Sequence, residues 1–125
     1  MLNPLVLLVD DDPETLAVLA NALEREGIRV RASNSVFRAL EALHDGSPRP
    51  ALIITDLMMP QTTGWHLLTH LRSDPALQSL PVIVITGADI GEAEGLADLV
   101  LQKPFGPEQL VAAVRSLLLS RADAP

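Results

Sequence analysis

Acidic residues at two places in the chain could carry out carboxylate chemistry. Three consecutive aspartates, Asp10 to Asp12, follow the apolar run Leu5–Val9, and a lone aspartate, Asp56, follows the apolar run Leu52–Thr55. Carboxylate oxygens bind hard divalent cations such as Mg²⁺. A carboxylate can also act as a nucleophile that forms an acyl phosphate. The sequence therefore offers both a possible metal site and a possible phosphoryl acceptor.

A hydroxyl group and an ammonium group follow two later apolar runs. Thr86 ends the run Val82–Thr86, and Lys103 comes shortly after the run Leu99–Leu101. Phosphoryl transfer requires in-line placement of the reacting groups and neutralisation of the equatorial phosphoryl oxygens. Mg²⁺, the Lys103 ammonium and the Thr86 hydroxyl would supply that neutralisation at an Asp56 acceptor.

Three carboxylates at one place need positive charge, because each would otherwise raise the pKa of the others. Lys103 and a bound divalent cation are the two candidates for that charge. A donor set of oxygens without sulfur or imidazole favours a hard ion such as Mg²⁺. We therefore predict Asp56 as the phosphoryl acceptor and Asp10 and Asp11 as Mg²⁺ ligands. Asp12 is predicted to cap the helix that follows it.

The elements that would position these residues follow from five short apolar runs. Most of the runs do not alternate apolar with polar residues, which indicates strands covered on both faces, as in a parallel sheet. The second run does alternate and indicates an edge strand or a partly exposed strand. The predicted strands are Leu5–Val9, Ile28–Val30, Leu52–Thr55, Val82–Thr86 and Leu99–Leu101.

Helical patterns lie between the predicted strands. Apolar residues at i, i+3, i+4 and i+7 mark the first helix, and proline or glycine residues mark several of the helix ends. Residues 88–95 contain two glycines and few apolar residues, so at most a turn or two of helix fits there. The predicted helices run from Pro13 to near Gly27, from Ser35 to His44, from near Gly64 to Asp74, and from Pro107 onward.

Strands that alternate with helices predict an α/β fold with right-handed crossovers, here a doubly wound five-stranded parallel sheet with helices on both faces and a shortened or irregular fourth helix. In such sheets the working site lies beyond the carboxyl ends of the strands. Every predicted strand except the second delivers a charged or hydroxyl side chain to that edge. We predict one domain over residues 1–120 and a frayed tail over residues 121–125.

The composition argues against several classes of protein. The 125-residue chain is 48% hydrophobic and has a formal net charge of −7, which is unfavourable for a nucleic-acid surface. It contains no cysteine, so disulfides, thiolate chemistry and zinc–cysteine sites are excluded. The sequence has no apolar run long enough to span a bilayer and no signal-peptide pattern, so we expect a cytoplasmic protein without membrane contact.

Four motifs together resemble the response-regulator receiver domain, and the resemblance covers essentially the whole chain. They occur in the family's order and are Val9-Asp10-Asp11-Asp12-Pro13, Asp56-Leu57-Met58-Met59-Pro60 with Gly64, Val82-Ile83-Val84-Ile85-Thr86, and Lys103-Pro104-Phe105. The resemblance implies a flavodoxin-like fold with strand order 2-1-3-4-5. It also implies that Asp56 receives a phosphoryl group from a phosphohistidine on a sensor histidine kinase or a histidine phosphotransfer protein.

The resemblance further implies roles for the other motif residues. Thr86 and Lys103 would contact the phosphoryl group, and the peptide bond between Lys103 and Pro104 would be cis. The chain would act as a stand-alone regulator, a relay intermediate or a receiver cut from a hybrid kinase, with an unidentified downstream partner and no enzymatic activity beyond phosphorylation and dephosphorylation of Asp56. The implied Mg²⁺ ligands are Asp10, Asp11, Asp56 and the backbone carbonyl of Met58.

Two features depart from the pattern of the receiver family. Val100 stands three residues before the lysine, where receivers of the usual kind have an aromatic residue, and Lys103 comes only 17 positions after Thr86. We therefore expect intact phosphorylation chemistry and an altered readout around the fourth helix and fifth strand. An alternative stays open, in which the fold is a protein-binding scaffold that works without phosphorylation.

Other readings are weaker. A haloacid-dehalogenase-type phosphatase would need a second acid two residues after the nucleophile, where Met58 stands, and a flavodoxin would need a phosphate loop after the first strand. His66 and His70 are spaced i, i+4 on the third predicted helix, a spacing that can bind a transition metal. Because no third ligand is evident near them in the sequence, we predict a pair of histidines that face solvent.

Overall fold

The computed structural model of the chain describes residues 4–46, 48–57, 64–87 and 95–122. Strands and helices alternate along the chain, as the sequence predicts. The elements are β1 Leu5–Val9, α1 Pro13–Glu24, β2 Arg29–Ser33, α2 Val36–His44, β3 Leu52–Asp56, α3 Gly64–Ser73, β4 Val82–Thr86, β5 Leu99–Gln102 and α4 Pro107–Ala122.

The strands form one parallel sheet with the order β2-β1-β3-β4-β5, which confirms the predicted fold class and topology. Register runs continuously across the sheet, with Val9 paired to Thr55 and Asp56 paired to Ile85. The second strand was predicted at Ile28–Val30 but covers Arg29–Ser33. Ile28 is instead buried against α1, and its amide donates a hydrogen bond to the carbonyl oxygen of Leu23.

Helices cover both faces of the sheet, so its central strands are buried on both sides. On one face, α2 and α3 pack on strand residues that include Leu7, Ile53 and Val84. On the other face, α1 and α4 pack on the alternate strand residues, such as Leu8 and Ile54. Successive side chains of a strand point to opposite faces, so both sets must be apolar. This explains why the strand sequences do not alternate.

Side-chain caps begin the first two helices. The Asp12 carboxylate accepts hydrogen bonds from the Glu14 amide (3.1 Å) and from the Thr15 hydroxyl (2.8 Å), and Pro13 is the first helical residue. The Ser35 hydroxyl oxygen accepts from the Arg38 amide at the start of α2. The predicted capping role of Asp12 is confirmed, which leaves Asp10 and Asp11 for other roles.

The end of the connection from β4 to β5 is held by Arg72 of α3. Its guanidinium donates to the carboxylate of Asp98 (2.9 Å) and to three backbone carbonyl oxygens. The same Asp98 oxygen accepts from the amide of Val82, the first residue of β4. One side chain therefore joins the end of α3 to the starts of β4 and β5. The three carbonyl groups belong to Gln78, Leu80 and Leu96.

The predicted short helix between β4 and β5 falls on residues 88–95, of which residues 88–94 lie outside the described residues. Helix α4 continues through Arg121 to Ala122, so it includes the first two residues of the predicted frayed tail. Among the described helices, none combines the length and apolar character that a membrane span requires.

Candidate functional site

The carboxyl ends of four neighbouring strands bring the predicted site residues to one edge of the sheet. Asp10 directly follows β1, Asp56 and Thr86 end β3 and β4, and Lys103 follows β5. The parallel register places Thr86 beside Gln102, so Lys103 comes directly beyond the end of β4. The topology therefore gathers residues that are far apart in the sequence.

The three aspartates at this edge are close enough to share one ion. Asp10, Asp11 and Asp56 each offer a carboxylate oxygen, and these oxygens lie within 4.8 Å of one another. Asp10 and Asp56 are buried, whereas Asp11 is exposed. The cluster is thus open to solvent on one side and enclosed by the sheet on the other.

Asp10 has one satisfied and one unsatisfied carboxylate oxygen. Oδ1 accepts a hydrogen bond from the Asp12 amide at 2.9 Å, whereas buried Oδ2 has no hydrogen-bond partner among the described residues. Burial raises the pKa of Asp10, and the charge of Asp56 adds to this, although the Asp12 amide and Lys103 act in the opposite direction. A buried anionic oxygen without a donor is stabilised by a cation. The observed arrangement therefore fits a metal ion at this edge.

Lys103 provides the positive charge within hydrogen-bond distance of Asp56. Its Nζ lies 3.0 Å from Oδ2 of Asp56, whose side chain is 8% exposed. Burial by itself would lower the pKa of Lys103, but the hydrogen bond and the charges of Asp56, Asp10 and Asp11 outweigh burial, so its pKa is raised. The lysine is consequently a fixed cation at neutral pH.

The backbone positions Lys103 and Thr86 together. The amide of Lys103 donates to the carbonyl oxygen of Thr86 at 2.9 Å, which continues the ladder between β4 and β5 by one residue. Thr86 is fully buried. The peptide bond between Lys103 and Pro104 is cis, as the resemblance implies.

The donor set fits Mg²⁺, which prefers carboxylate and carbonyl oxygens. Asp10, Asp11 and Asp56 are brought together as predicted. The fourth predicted ligand, the backbone carbonyl of Met58, lies outside the described residues. Beside Lys103, the start of α1 and the loop after β5 enclose an open groove.

Sequence reasoning missed two groups of polar side chains. Arg72 and Asp98 form an ion pair at 2.9 Å, and His44 lies 3.0 Å from His70 between their Nε2 atoms. In each pair the partners are 26 residues apart, and neither pair lies within a single element. Neither helical nor strand spacing links such partners, so no local signal could have found them.

Known proteins match most of this chain. The family model of the response regulator receiver domain matches residues 6–115. Response regulator Rre1 of Synechocystis sp. is 39% identical over 119 residues, which are 90% of this chain and 51% of that protein. Transcriptional regulatory protein CpxR of Escherichia coli is 37% identical over 118 residues, 90% of this chain and 48% of that protein. The chain thus spans about half the length of the curated relatives it matches.

Solved structures match over nearly the whole chain. The signal receiver domain of a signal transduction histidine kinase from Syntrophus aciditrophicus superposes with a TM-score of 0.87 and 28% identity, covering 98% of this chain and 95% of that one. A putative response regulator from Chloroflexus aurantiacus gives a TM-score of 0.85 and 30% identity, with 94% and 99% coverage.

Proposed function

Because the chain belongs to the response regulator receiver domain family of two-component systems, we propose that it accepts a phosphoryl group on Asp56 from a phosphohistidine. The observation that carries the proposal is the buried Asp56 carboxylate, held 3.0 Å from Lys103 and clustered with Asp10 and Asp11. An acceptor carboxylate needs this combination, because the negative charges of acceptor and phosphoryl group must be balanced as they approach.

The proposed transfer is a substitution at phosphorus. An oxygen of the Asp56 carboxylate attacks the phosphorus atom, and the P–N bond to the donor imidazole breaks. The electron pair of that bond stays on the imidazole nitrogen, and an acyl phosphate is left on Asp56. Lys103, with its raised pKa, stays cationic and balances charge on the phosphoryl oxygens.

Asp10, Asp11 and Asp56 would hold Mg²⁺, together with the backbone carbonyl of Met58. When bound, the ion supplies positive charge to the phosphoryl oxygens. The unpartnered Oδ2 of Asp10 supports this assignment, since an oxygen that binds a metal ion would have no hydrogen-bond donor from the protein. Thr86, fully buried at the end of β4, would offer its hydroxyl to the phosphoryl group.

A phosphoryl group on Asp56 would change the partner-binding surface by biasing two arrangements of the β4–β5 region. Val100 is half-buried against the core on the α2 and α3 side, so the readout in this chain does not use an aromatic ring at that position. The phosphodonor would be a sensor histidine kinase or a histidine phosphotransfer protein, and the protein would then work in the cytoplasm.

Intact mass spectrometry after incubation with a small phosphodonor and Mg²⁺ tests the proposal. We expect the mass of one added phosphoryl group on the parent protein and no gain on Asp56→Asn. Asp12→Asn is the matched control, because asparagine also caps helices and the substitution leaves the other acids in place. Its mass gain should equal that of the parent. A parent that stays unmodified, or an Asp56→Asn variant that is modified, contradicts the proposal.

The alternative is a protein-binding scaffold that works without phosphorylation. The observation that favours it is Val100, since the usual aromatic residue of the readout is absent at this position. The same mass measurement separates the two functions. A scaffold would bind its partner equally well before and after treatment with the phosphodonor.

A further inference from the structure

Two histidines from different helices face each other where α2 and α3 end. His44 is the last residue of α2, and His70 lies in the last turn of α3. Their Nε2 atoms are 3.0 Å apart, and the rings meet edge to face with centroids 5.2 Å apart. The sequence spacing paired His70 with His66, but the fold pairs it with His44.

A carboxylate completes the cluster. Asp74 directly follows α3, and one of its oxygens lies within 4.8 Å of ligand nitrogens from both histidines. The Asp74 amide donates to the carbonyl oxygen of His70, and its Oδ1 accepts from the amide of Ala76 at 2.9 Å. These bonds fix the backbone at the end of α3 and hold the carboxylate beside the histidine pair.

We propose that His44, His70 and Asp74 bind a divalent transition metal ion of the Zn²⁺ type. Zinc–nitrogen bonds of about 2.0–2.1 Å place two bound nitrogens about 3.0–3.4 Å apart, depending on the angle at the metal. The observed separation of 3.0 Å lies at the short end of this range. Two imidazoles and one carboxylate suit zinc, whereas Mg²⁺ prefers a set of oxygen ligands.

The backbone adds to the attraction for a cation. Helix C-termini carry partial negative charge, and the cluster lies at the C-termini of two helices at once. A hydrogen bond between the two rings uses a single proton, whereas a metal ion would engage the lone pairs of both nitrogens. The cluster therefore offers two imidazole nitrogens, one carboxylate oxygen and two favourable helix ends.

The histidine cluster is separate from the acidic edge. A helix that connects two parallel strands runs back from the carboxyl edge of the sheet to its amino edge. The C-terminal ends of α2 and α3 therefore lie at the amino edge, opposite Asp56. Zinc at the histidine cluster and Mg²⁺ at the acidic edge can bind at the same time. The zinc ion would link α2 to α3, and the stability that it adds to the folded protein would rise with the logarithm of its free concentration above the dissociation constant.

Calorimetric titration of tag-free, chelator-treated full chain with Zn²⁺, in excess Mg²⁺, tests the inference. We expect one Zn²⁺ per chain and a rise in the midpoint of thermal unfolding. His44→Ala and His70→Ala should each weaken binding more than tenfold, since loss of an outer-shell partner alone costs about 10–100-fold. Asp74→Ala should weaken it as well.

His66→Ala is the matched control, because His66 is an exposed histidine on the same helix as His70 and lies outside the cluster. It should bind Zn²⁺ like the parent, and so should Asp56→Asn. His44→Gln keeps a hydrogen-bonding side chain and replaces His44→Ala if that variant does not fold. It too should lose zinc affinity.

Several outcomes would overturn the inference. One is that the parent does not bind zinc. Another is that binding survives both His44→Gln and His70→Ala. The others are that binding is lost in His66→Ala or in Asp56→Asn. The last two would place the ion on the i, i+4 pair or on the acidic edge. None of these outcomes bears on phosphorylation of Asp56, which the mass measurement tests separately.

Discussion

At the residue scale, Asp10 places a carboxylate oxygen where no described residue donates a hydrogen bond to it. The carboxylate is buried beside Asp56, and both burial and that charge raise its pKa. Such an arrangement lowers the stability of the metal-free protein, because a buried charge without a partner is costly. The same arrangement prepares the site for a cation.

We expect Asp10→Asn to make the metal-free protein more stable at neutral pH. Asparagine keeps an oxygen that accepts from the Asp12 amide and removes the charge beside Asp56. An unsatisfied buried group costs about 1–3 kcal/mol, so a gain of about 1 kcal/mol is expected. Urea unfolding in the presence of a chelator, followed by circular dichroism, measures the gain.

The stability gained through Asp10→Asn should depend on pH in a defined direction. The folded pKa of Asp10 is raised, so its charge lowers stability above that pKa, and protonation removes the effect as the pH falls through it. The gain from Asp10→Asn should therefore shrink as the pH falls through the raised pKa toward the ordinary value of 3.8. A gain that grows on acidification would contradict this account of Asp10.

At the element scale, Arg72 determines how the end of the β4–β5 connection meets the sheet. Its side chain and that of Asp98 are 22% and 32% exposed, and the pair lies 2.9 Å apart. The guanidinium satisfies carbonyl groups that no regular element would satisfy.

We expect Arg72→Met to lower the free energy of unfolding by about 2–3 kcal/mol, since hydrogen bonds to charged groups contribute about 1.5–3 kcal/mol and Asp98 loses its cationic partner while it keeps the Val82 amide. Arg115→Met is the control. Arg115 pairs with Glu26 at 2.7 Å, but both side chains are exposed, so a loss below about 1 kcal/mol is expected. Urea unfolding of both variants measures the difference, and equal losses would refute the role given to Arg72.

Local patterns predicted most of the elements because they report which side of an element is buried. The non-alternating strands, the Asp12 cap and the helix starts all follow from the next few residues. The predicted start of β2 was wrong by one residue, since an apolar residue such as Ile28 can be buried either in a strand or against a helix. The Arg72–Asp98 and His44–His70 pairs depend on tertiary packing, which local spacing does not encode.

At the scale of the whole molecule, the two edges of the sheet carry different chemistry. The carboxyl edge gathers Asp10, Asp11, Asp56 and Lys103, and this convergence could be predicted because the topology rule for parallel sheets places strand ends together. The amino edge carries the histidine cluster and the Arg72 contacts. No comparable rule exists for that edge.

Mg²⁺ is expected to raise the midpoint of thermal unfolding of the whole protein. An ion at 100 times its dissociation constant stabilises the folded state by about 2.7 kcal/mol. Asp11→Asn should lose most of this shift, because its carboxylate is one of the three that share the site. Glu14→Gln, which removes an exposed acid near the same edge, should keep it. A shift that persists in Asp11→Asn would place the ion elsewhere.

The hydrogen bond from the Lys103 amide to the Thr86 carbonyl oxygen matters for exchanging the segment between β4 and β5 among receiver domains. The stretch between β4 and β5 begins beside that bond and ends at Asp98, which Arg72 and Val82 hold. Hydrogen bonds that involve residues outside the stretch thus hold both of its ends. A replacement of different length, taken from a relative, is then expected to fit between them without displacing Lys103, and chimeras could be built at these two joints.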